Sequence, residues 1–177
     1  MVRIVLAVLI LAAAVLVGCG EEKPADNAVE AQEQNTVELA GVRYRVVLFR
    51  ELNVNIAPAD ALWNGEPPAP GSGLYGVVLQ ACAPDEATAR TTAEIRLEDA
   101  FGQRFSARPA DTKDKFEYAA IELEPGECLP APDSLAERTF GGAVLVFELP
   151  FASIDRPMIL EIANPAGGAP ARIQLDL

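Results

Sequence analysis

The stretch Leu74-Tyr75-Gly76-Val77-Val78-Leu79-Gln80-Ala81-Cys82 decides the fold of this chain. It is rich in strand-forming residues, and it is apolar at both odd and even positions. Successive side chains of a strand point to opposite faces, so a run that is apolar throughout is expected where both faces are covered. Residues 74–82 therefore predict a central strand of a two-layer structure.

Shorter runs with strand periodicity lie on both sides of this stretch, and most are bounded by Pro, Gly, Asn or Asp. They comprise residues 42–49, 94–98, 121–124, 143–149, 158–163 and 172–177. Helical signals are confined to Asp60–Trp63 and Ser134–Arg138, each long enough for one turn. The pattern predicts an all-β fold, an antiparallel β-sandwich of about seven or eight strands, with a closed barrel as the alternative.

The first nineteen residues have the layout of a secretory signal peptide that ends in a lipobox. Arg3 precedes an apolar run of 14 residues from Ile4 to Val17, and Gly18 and Cys19 follow. A helix needs roughly 20 residues to cross a bilayer, so a cleaved signal peptide fits better than a permanent span. In these features the chain resembles bacterial lipoproteins, which are cut before the cysteine. We therefore expect a lipidated Cys19 on the extracytoplasmic face of the cell membrane; an uncut signal anchor is the alternative.

The sequence predicts three parts in the chain. Residues 1–18 are the expected lipoprotein signal peptide, and residues 19–37 are the lipidated cysteine with a polar stretch that has almost no large apolar residues. Such a composition predicts a flexible tether. Residues 38–177 are long enough to form one domain with its own core.

The charge of the chain excludes some partners. The formal net charge is −12, and loss of Arg3 with the signal peptide leaves 13 basic and 26 acidic residues, or −13. An acidic surface repels phosphate backbones and anionic lipid. We therefore expect no nucleic-acid partner, and we expect the lipid chain alone to hold the protein at the membrane.

Two cysteines remain once Cys19 is assigned to lipid. Cys82 and Cys128 would lie in an oxidising compartment, where such a pair commonly forms a disulfide. Closing a loop of about 46 residues would stabilise the fold by roughly 4 kcal/mol in the chain-entropy model. Two separate buried thiols are the alternative, and a metal site would need further Cys or His ligands.

Several turn and strand motifs occur in a recognisable order. Residues 41–46 (GVRYRV) open the domain, and Leu97–Phe105 fits L-x-D-x-x-G-x-x-aromatic. Leu123–Gly126 then fits L-x-P-G, and Val146–Pro150 fits V-F-x-x-P. In this order they resemble the immunoglobulin-like domain of unknown function found on lipoproteins of Gram-positive bacteria, which is related to a secreted mycobacterial antigen. The resemblance implies an immunoglobulin-like sandwich outside the cell and brings no catalytic residues.

Catalytic constellations are poorly represented. The chain contains no histidine, which removes Ser-His-Asp and Cys-His catalysis and nearly all zinc or copper sites. Ser72 follows a Pro-rich loop and precedes a strand, unlike a nucleophile elbow. The adjacent pairs Glu98-Asp99 and Asp85-Glu86 would point to opposite faces if they lay in strands, so we interpret them as solvated carboxylates.

Residues 111–117 contain Asp111, Asp114 and Glu117, three acidic residues spaced three apart. Calcium binds clustered oxygen ligands, but the calcium-loop pattern is absent, and Lys113 and Lys115 lie between these residues. We expect no metal and no cofactor here.

The loop Asp60–Gly73 is the candidate binding loop, because long loops on a rigid sandwich commonly carry function. Within it we single out Asp60, Trp63, Asn64 and Glu66. Tryptophan is enriched at binding hot spots, although Trp63 folding back to cap the core is the alternative.

The sequence thus predicts a lipid-anchored, non-catalytic binding or scaffold domain at the cell envelope, with an envelope protein or polymer as its partner. A small-molecule or ion-binding lipoprotein is the alternative function. A hydrolase that works with carboxylates alone is a third hypothesis.

Overall fold

The computed structural model describes residues 28–62, 67–109, 116–154 and 156–176. Within these ranges the chain forms twelve strands, two short helices and one 3-10 turn. The strands are β1 (Val29–Gln32), β2 (Thr36–Leu39), β3 (Val42–Glu51), β4 (Ser72–Cys82), β5 (Ala89–Arg90), β6 (Ile95–Glu98), β7 (Arg104–Ser106), β8 (Glu122–Leu123), β9 (Cys128–Leu129), β10 (Ala143–Pro150), β11 (Met158–Ile162) and β12 (Ala171–Leu175). The helices are α1 (Leu135–Phe140) and α2 (Phe151–Ile154), and the 3-10 turn is Ala59–Leu62.

The strands form two main sheets in an immunoglobulin-like order. The first sheet has the order β1-β12-β11-β6-β7, and the second has the order β10-β4-β3-β2 with β9 also beside β4. Neighbours are antiparallel except for β1, which runs parallel to β12. In the second sheet, β3, β4 and β10 take the places of immunoglobulin strands A, B and E. In the first sheet, β6, β11 and β12 take the places of strands C, F and G. The predicted antiparallel immunoglobulin-like β-sandwich is therefore confirmed.

The prediction for residues 74–82 is confirmed in detail, because β4 is central in its sheet and buried on both faces. Tyr75, Val77 and Leu79 face the main core between the two sheets. Leu74 and Val78 face the opposite side of the sheet and belong to a second apolar cluster. β4 pairs with β3 on one side and β10 on the other, so both of its edges are satisfied as well.

The second cluster explains the two short helical signals. The 3-10 turn places Ala59 and Leu62 on the outer face of the second sheet, and α1 places Phe140 there. The hydroxyl of Ser134 accepts a hydrogen bond from the Glu137 backbone, which caps the start of α1. Both elements are therefore lids on a sheet face that would otherwise expose apolar side chains.

The tether boundary predicted at residue 37 is wrong. Residues Val29–Gln32 form β1 and pair with β12, and β2 begins at Thr36. The sequence of β1, Val-Glu-Ala-Gln, is polar because the strand is held mainly through its backbone, and only Ala31 packs against the core. Hydropathy therefore could not separate this edge strand from a linker.

The two ends of the sandwich carry different features. The N-terminal end is where β1 begins, with the Val29 N–H donating to the Pro170 carbonyl, and where β4 ends. The distal end is where β3 ends, β4 begins, and β10 passes into α2. At the distal end, Ser153 of α2 lies close to Asp99, which directly follows β6, so the two sheets approach each other there. None of the helices in the described ranges is long and apolar enough to cross a membrane.

Candidate functional site

The residues predicted from sequence are only partly covered by the structure. Cys19, the expected lipidation site, lies outside the described residues, as do Trp63, Asn64 and Glu66 of the candidate binding loop. Asp60 is exposed on the 3-10 turn. Its neighbours Ala59 and Leu62 are buried, so the start of the loop is packed onto the second sheet.

Cys82 and Cys128 are joined by a disulfide, as predicted. They are directly opposite each other in the antiparallel pair of β4 and β9, and both are half-buried. Because β9 is only two residues long, the covalent bond supplements a small number of backbone hydrogen bonds. The disulfide lies at the N-terminal end and fixes the segment that leads into α1.

The interpretation of Glu98 and Asp99 as solvated carboxylates is wrong, because the Glu98 side chain is 17% exposed and Asp99 is 5% exposed. Glu98 lies on the outer face of the first sheet, where it accepts a hydrogen bond from Arg172 at 2.8 Å. This hydrogen bond is the largest cause that lowers the pKa of Glu98, and a second one from Arg104 adds to it. Arg172 also binds Glu161 at 2.9 Å. Glu98 is therefore held ionised in an ion-pair network.

Asp99 organises the turn between β6 and β7. Its Oδ1 accepts hydrogen bonds from the backbone N–H groups of Phe101 and Gln103, both at 2.9 Å. Burial by itself raises the pKa of Asp99. The backbone N–H groups of Gln103 and Phe101 and the nearby Ser153 hydroxyl outweigh burial, so the pKa lies below its ordinary value. The residue is a structural anchor, and the Phe101 ring that it positions is 70% exposed next to Arg156.

The remaining acidic candidates also lack a site geometry. Asp85 and Glu86 lie exposed in a turn at the N-terminal end. Asp111 and Asp114 lie outside the described residues, and Glu117 forms a backbone bridge to Val144. Across the described parts of the chain, no three His, Cys, Asp or Glu side chains come together in a way that could hold a metal ion.

A groove at the distal end is the concave surface next to the candidate binding loop, and we call it the end groove. It has a volume of about 410 Å³ and runs between the turn at residues 51–55 and the segment formed by Pro68 and residues 72–74, with Phe151 beside it. The final part of the candidate binding loop therefore lines it. Pro68, Ser72 and Gly73 of this loop line the groove, whereas Trp63 lies outside the described residues, so a binding role for the loop stays a prediction.

The Phe151 ring forms one wall of the end groove. Phe151 is 49% exposed, and residues 71 and 73 hold it in place. The Phe151 N–H donates to the Gly71 carbonyl at 2.9 Å. A Cβ placed on Gly73 would lie 3.0 Å from the Phe151 ring and 3.1 Å from the Tyr75 ring. Glycine at position 73 therefore lets the aromatic ring lie close against the backbone.

Polar side chains line the opposite wall. The Asn53 Oδ1 accepts a hydrogen bond from the Asn55 N–H at 3.1 Å, which forms an Asx turn and fixes the Asn53 amide. Asn53 and Asn55 are both exposed, and the Glu51 carboxylate lies nearby. Ser72 also lines the groove. The arrangement is suited to binding by stacking and hydrogen bonding.

Sequence reasoning missed Phe151, Asn53 and Asn55. An exposed aromatic directly after the strand-ending Pro150 and the Asn-x-Asn spacing in a turn were available signals. Neither signal shows that the two segments meet, because that depends on both β3 and β10 pairing with β4.

A second groove of about 530 Å³ lies between the first sheet and residues 118–120. Arg96 and Arg108 line it, and Arg108 is paired with Glu148. Its rim includes Pro109, next to residues 110–115, which lie outside the described ranges. The described residues therefore do not define the extent of this second groove.

The sequence matches no protein-family model and no curated protein. In structure the chain is similar to an uncharacterized β-sandwich protein from Clostridium difficile 630, with a TM-score of 0.50 and 13% identity, covering 89% of this chain and 100% of the other. It is also similar to the yjhA protein from Bacillus subtilis, with a TM-score of 0.50 and 9% identity, covering 82% of this chain and 99% of the other. At these identities the likeness shows the fold alone, a β-sandwich.

Proposed function

We propose that this protein is a lipid-anchored, extracytoplasmic binding domain of the cell envelope that works without catalysis. In this proposal Cys19 carries the lipid, and the sandwich belongs to the immunoglobulin-like class found on lipoproteins of Gram-positive bacteria and related to a secreted mycobacterial antigen. The domain would engage another envelope component through its distal end.

The relative position of the chain start and the end groove carries the proposal. β1 begins at the N-terminal end, beside Pro170, whereas the end groove lies where β3 ends and β4 begins. A lipid on Cys19 would therefore attach to one end of the sandwich, and the groove would open at the other. That geometry lets a membrane-held domain present its concave surface to the surroundings.

Charge supports the same orientation. The N-terminal end carries the exposed carboxylates Glu38, Asp85, Glu86, Glu122, Glu124 and Glu127, and the exposed arginines Arg43 and Arg90, opposite Glu38 and Glu122, offset only part of this negative charge. Negative charge on the end next to an anionic leaflet is repelled by it within about a Debye length, roughly 8–10 Å at ordinary salt. The domain would stand away from the lipid surface and keep its distal end free.

The chemistry of the chain supports a role in binding. It lacks histidine altogether. Glu98 is held in an ion-pair network, and Asp99 is bound by backbone N–H groups. General acid–base catalysis by carboxylates needs one of them kept protonated near neutral pH, whereas the pKa of each of these two is lowered.

Metabolic labelling with an alkyne-tagged fatty acid tests the proposal. The full-length protein should incorporate the label and sediment with membranes, and Cys19→Ala should lose both properties. Cys128→Ala serves as the matched control, because it removes a cysteine outside the lipobox and should keep the label. A chain that remains unlabelled, or that stays cytosolic, contradicts the proposal.

A further inference from the structure

We propose that the end groove binds a neutral saccharide chain, with the Phe151 ring as the stacking platform and the side-chain amides of Asn53 and Asn55 as the hydroxyl partners. This inference rests on the proposed function, since it gives the ligand class for the same site. A sugar ring has an apolar C–H face and a rim of hydroxyls, and it therefore needs an exposed ring next to polar groups that both donate and accept.

The platform is rigid before any ligand binds. The Phe151 N–H donates to the Gly71 carbonyl, and the Phe151 ring lies close to Gly73, where a Cβ would be 3.0 Å from it. One side of the ring is therefore packed, while half of the side chain remains exposed toward the groove. A pre-positioned aromatic face loses little side-chain entropy on binding. The small entropy cost allows a ligand with weak individual contacts, such as a sugar, to bind.

The opposite wall supplies the matching polar groups. A primary amide carries two donors and an acceptor, so it can pair with a hydroxyl in either direction. The Asn53 amide is held by the Asn55 N–H, which leaves its NH₂ group directed away from that turn bond. Ser72 adds a hydroxyl on the same groove. The volume of about 410 Å³ falls within the usual range of about 300–1,000 Å³ for small-molecule sites.

An extended peptide fits this site less well. A peptide that adds a strand needs a row of free backbone groups at a sheet edge. Here the backbone is already paired, because the Leu52 N–H donates to Leu74, the Ser72 N–H to Ala69, and the Phe151 N–H to Gly71. The end groove therefore binds through side chains and an aromatic ring. Strand addition would instead need unpaired backbone N–H and C=O groups along a sheet edge.

The electrostatics select a neutral ligand. Glu51 is the one ionisable side chain among the described residues that line the end groove. The whole chain has a formal charge of −12. Both would repel a phosphate-bearing or uronic-acid polymer, and no described arginine or lysine in the groove would offset that repulsion.

A glycan array probed with the full-length protein tests the inference. The protein is held in a detergent without a sugar headgroup, and the array carries neutral, N-acetylated and anionic bacterial glycans. We expect binding to one or more neutral or N-acetylated glycans, measured afterwards by titration with the tetrasaccharide that binds best. Phe151→Ala should weaken that binding about three- to tenfold, in keeping with the loss of one aromatic contact.

Two further variants make the result specific. Asn55→Ala should also weaken binding. Phe151→Trp should keep the binding of the parent protein, because it keeps an aromatic ring at position 151. Phe101→Ala is the matched control, because Phe101 is an exposed aromatic at the same end that does not line the groove. Melting temperatures within about 2 °C of the parent would show that each variant is folded.

Three outcomes would overturn the inference: no binding to neutral glycans, binding to anionic glycans alone, or binding that Phe151→Ala leaves unchanged. If the array is blank and a photoreactive group at residue 55 instead captures an envelope protein in cells, the saccharide inference is wrong and the proposed envelope function stands. Failure of the fatty-acid label on Cys19 would instead remove the proposed function itself.

Discussion

Replacing Arg172 should destabilise the protein in a pH-dependent way. The guanidinium of Arg172 in β12 lies between Glu98 of β6 and Glu161 of β11, at 2.8 and 2.9 Å. The three side chains are only 15–17% exposed. Arg172→Met keeps an apolar stem of similar length but removes the cation that the two carboxylates share. Glu98 would then be left with Arg104 at 3.0 Å, and Glu161 with Arg96 at 3.9 Å.

The size of the effect follows from the burial. Removing one partner of a fully buried ion pair costs about 3–5 kcal/mol, and exposed pairs contribute about 0–1 kcal/mol. The network on the first sheet lies between these limits but nearer the buried one. We therefore expect Arg172→Met to lower the free energy of unfolding by about 2–3 kcal/mol near neutral pH.

The sign of the pH dependence follows from the pKa of Glu98. The hydrogen bond from Arg172 is the largest cause that lowers this pKa in the folded state. A carboxyl whose folded pKa is depressed stabilises the protein above its unfolded pKa, about 4.3 for glutamate, and that stabilisation is lost as the pH falls through the folded value. The difference between parent and variant should therefore be full at neutral pH and shrink below about pH 4.

Urea unfolding followed by circular dichroism measures both quantities, since urea leaves ion pairs unscreened whereas guanidinium chloride does not. Gln174→Met, on the same strand and exposed, is the matched control and should change the stability by less than about 0.5 kcal/mol. A loss from Arg172→Met as small as that of the control, or an equal loss at about pH 7 and about pH 3.5, would show that Arg172 does not stabilise the ionised form of Glu98.

Three further variants test other parts of the fold. Cys82→Ser with Cys128→Ser should lower stability by up to about 4 kcal/mol, and the melting temperature of the double variant should no longer respond to reductant. Tyr118→Phe removes a buried hydroxyl that donates to the Thr92 carbonyl at 2.8 Å, and should cost about 1–2 kcal/mol in urea unfolding. Gly76→Ala would place a Cβ 2.9 Å from a leucine methyl and should cost about 1–3 kcal/mol; an unchanged melting temperature would show that the side chain moves freely aside.

Much of the sandwich could be predicted because the burial of its strands leaves a recognisable pattern of apolar residues in the sequence. β4 is mostly apolar on both faces because both are covered, and β12 alternates because only one face is covered. The edge strand β1 escaped notice because its side chains contribute little to the core. The short strands β5 and β9 also lack a periodic signal, since two residues are too few to show one.

The end groove could be predicted only in part. The Pro/Gly-rich composition of residues 66–73 indicated a long loop, and Pro68 and Ser72 do line the groove. The Phe151 platform comes from a segment almost 80 positions later in the chain and reaches the loop because β10 pairs with β4, with Pro150 opposite Ser72. Register of this kind follows from tertiary pairing and is not encoded in either segment alone.

Site-specific photo-crosslinking in cells shows which end of the domain meets an envelope component. A photoreactive amino acid is placed at Asn55 in the end groove or at Glu124 on the N-terminal end, each in the lipidated protein and in Cys19→Ala. The account predicts that position 55 forms a defined adduct with an envelope component, that position 124 does not, and that the adduct disappears without Cys19. Equal adducts from both ends, or an adduct at position 55 that survives Cys19→Ala, would contradict a membrane-anchored domain that binds through its distal end.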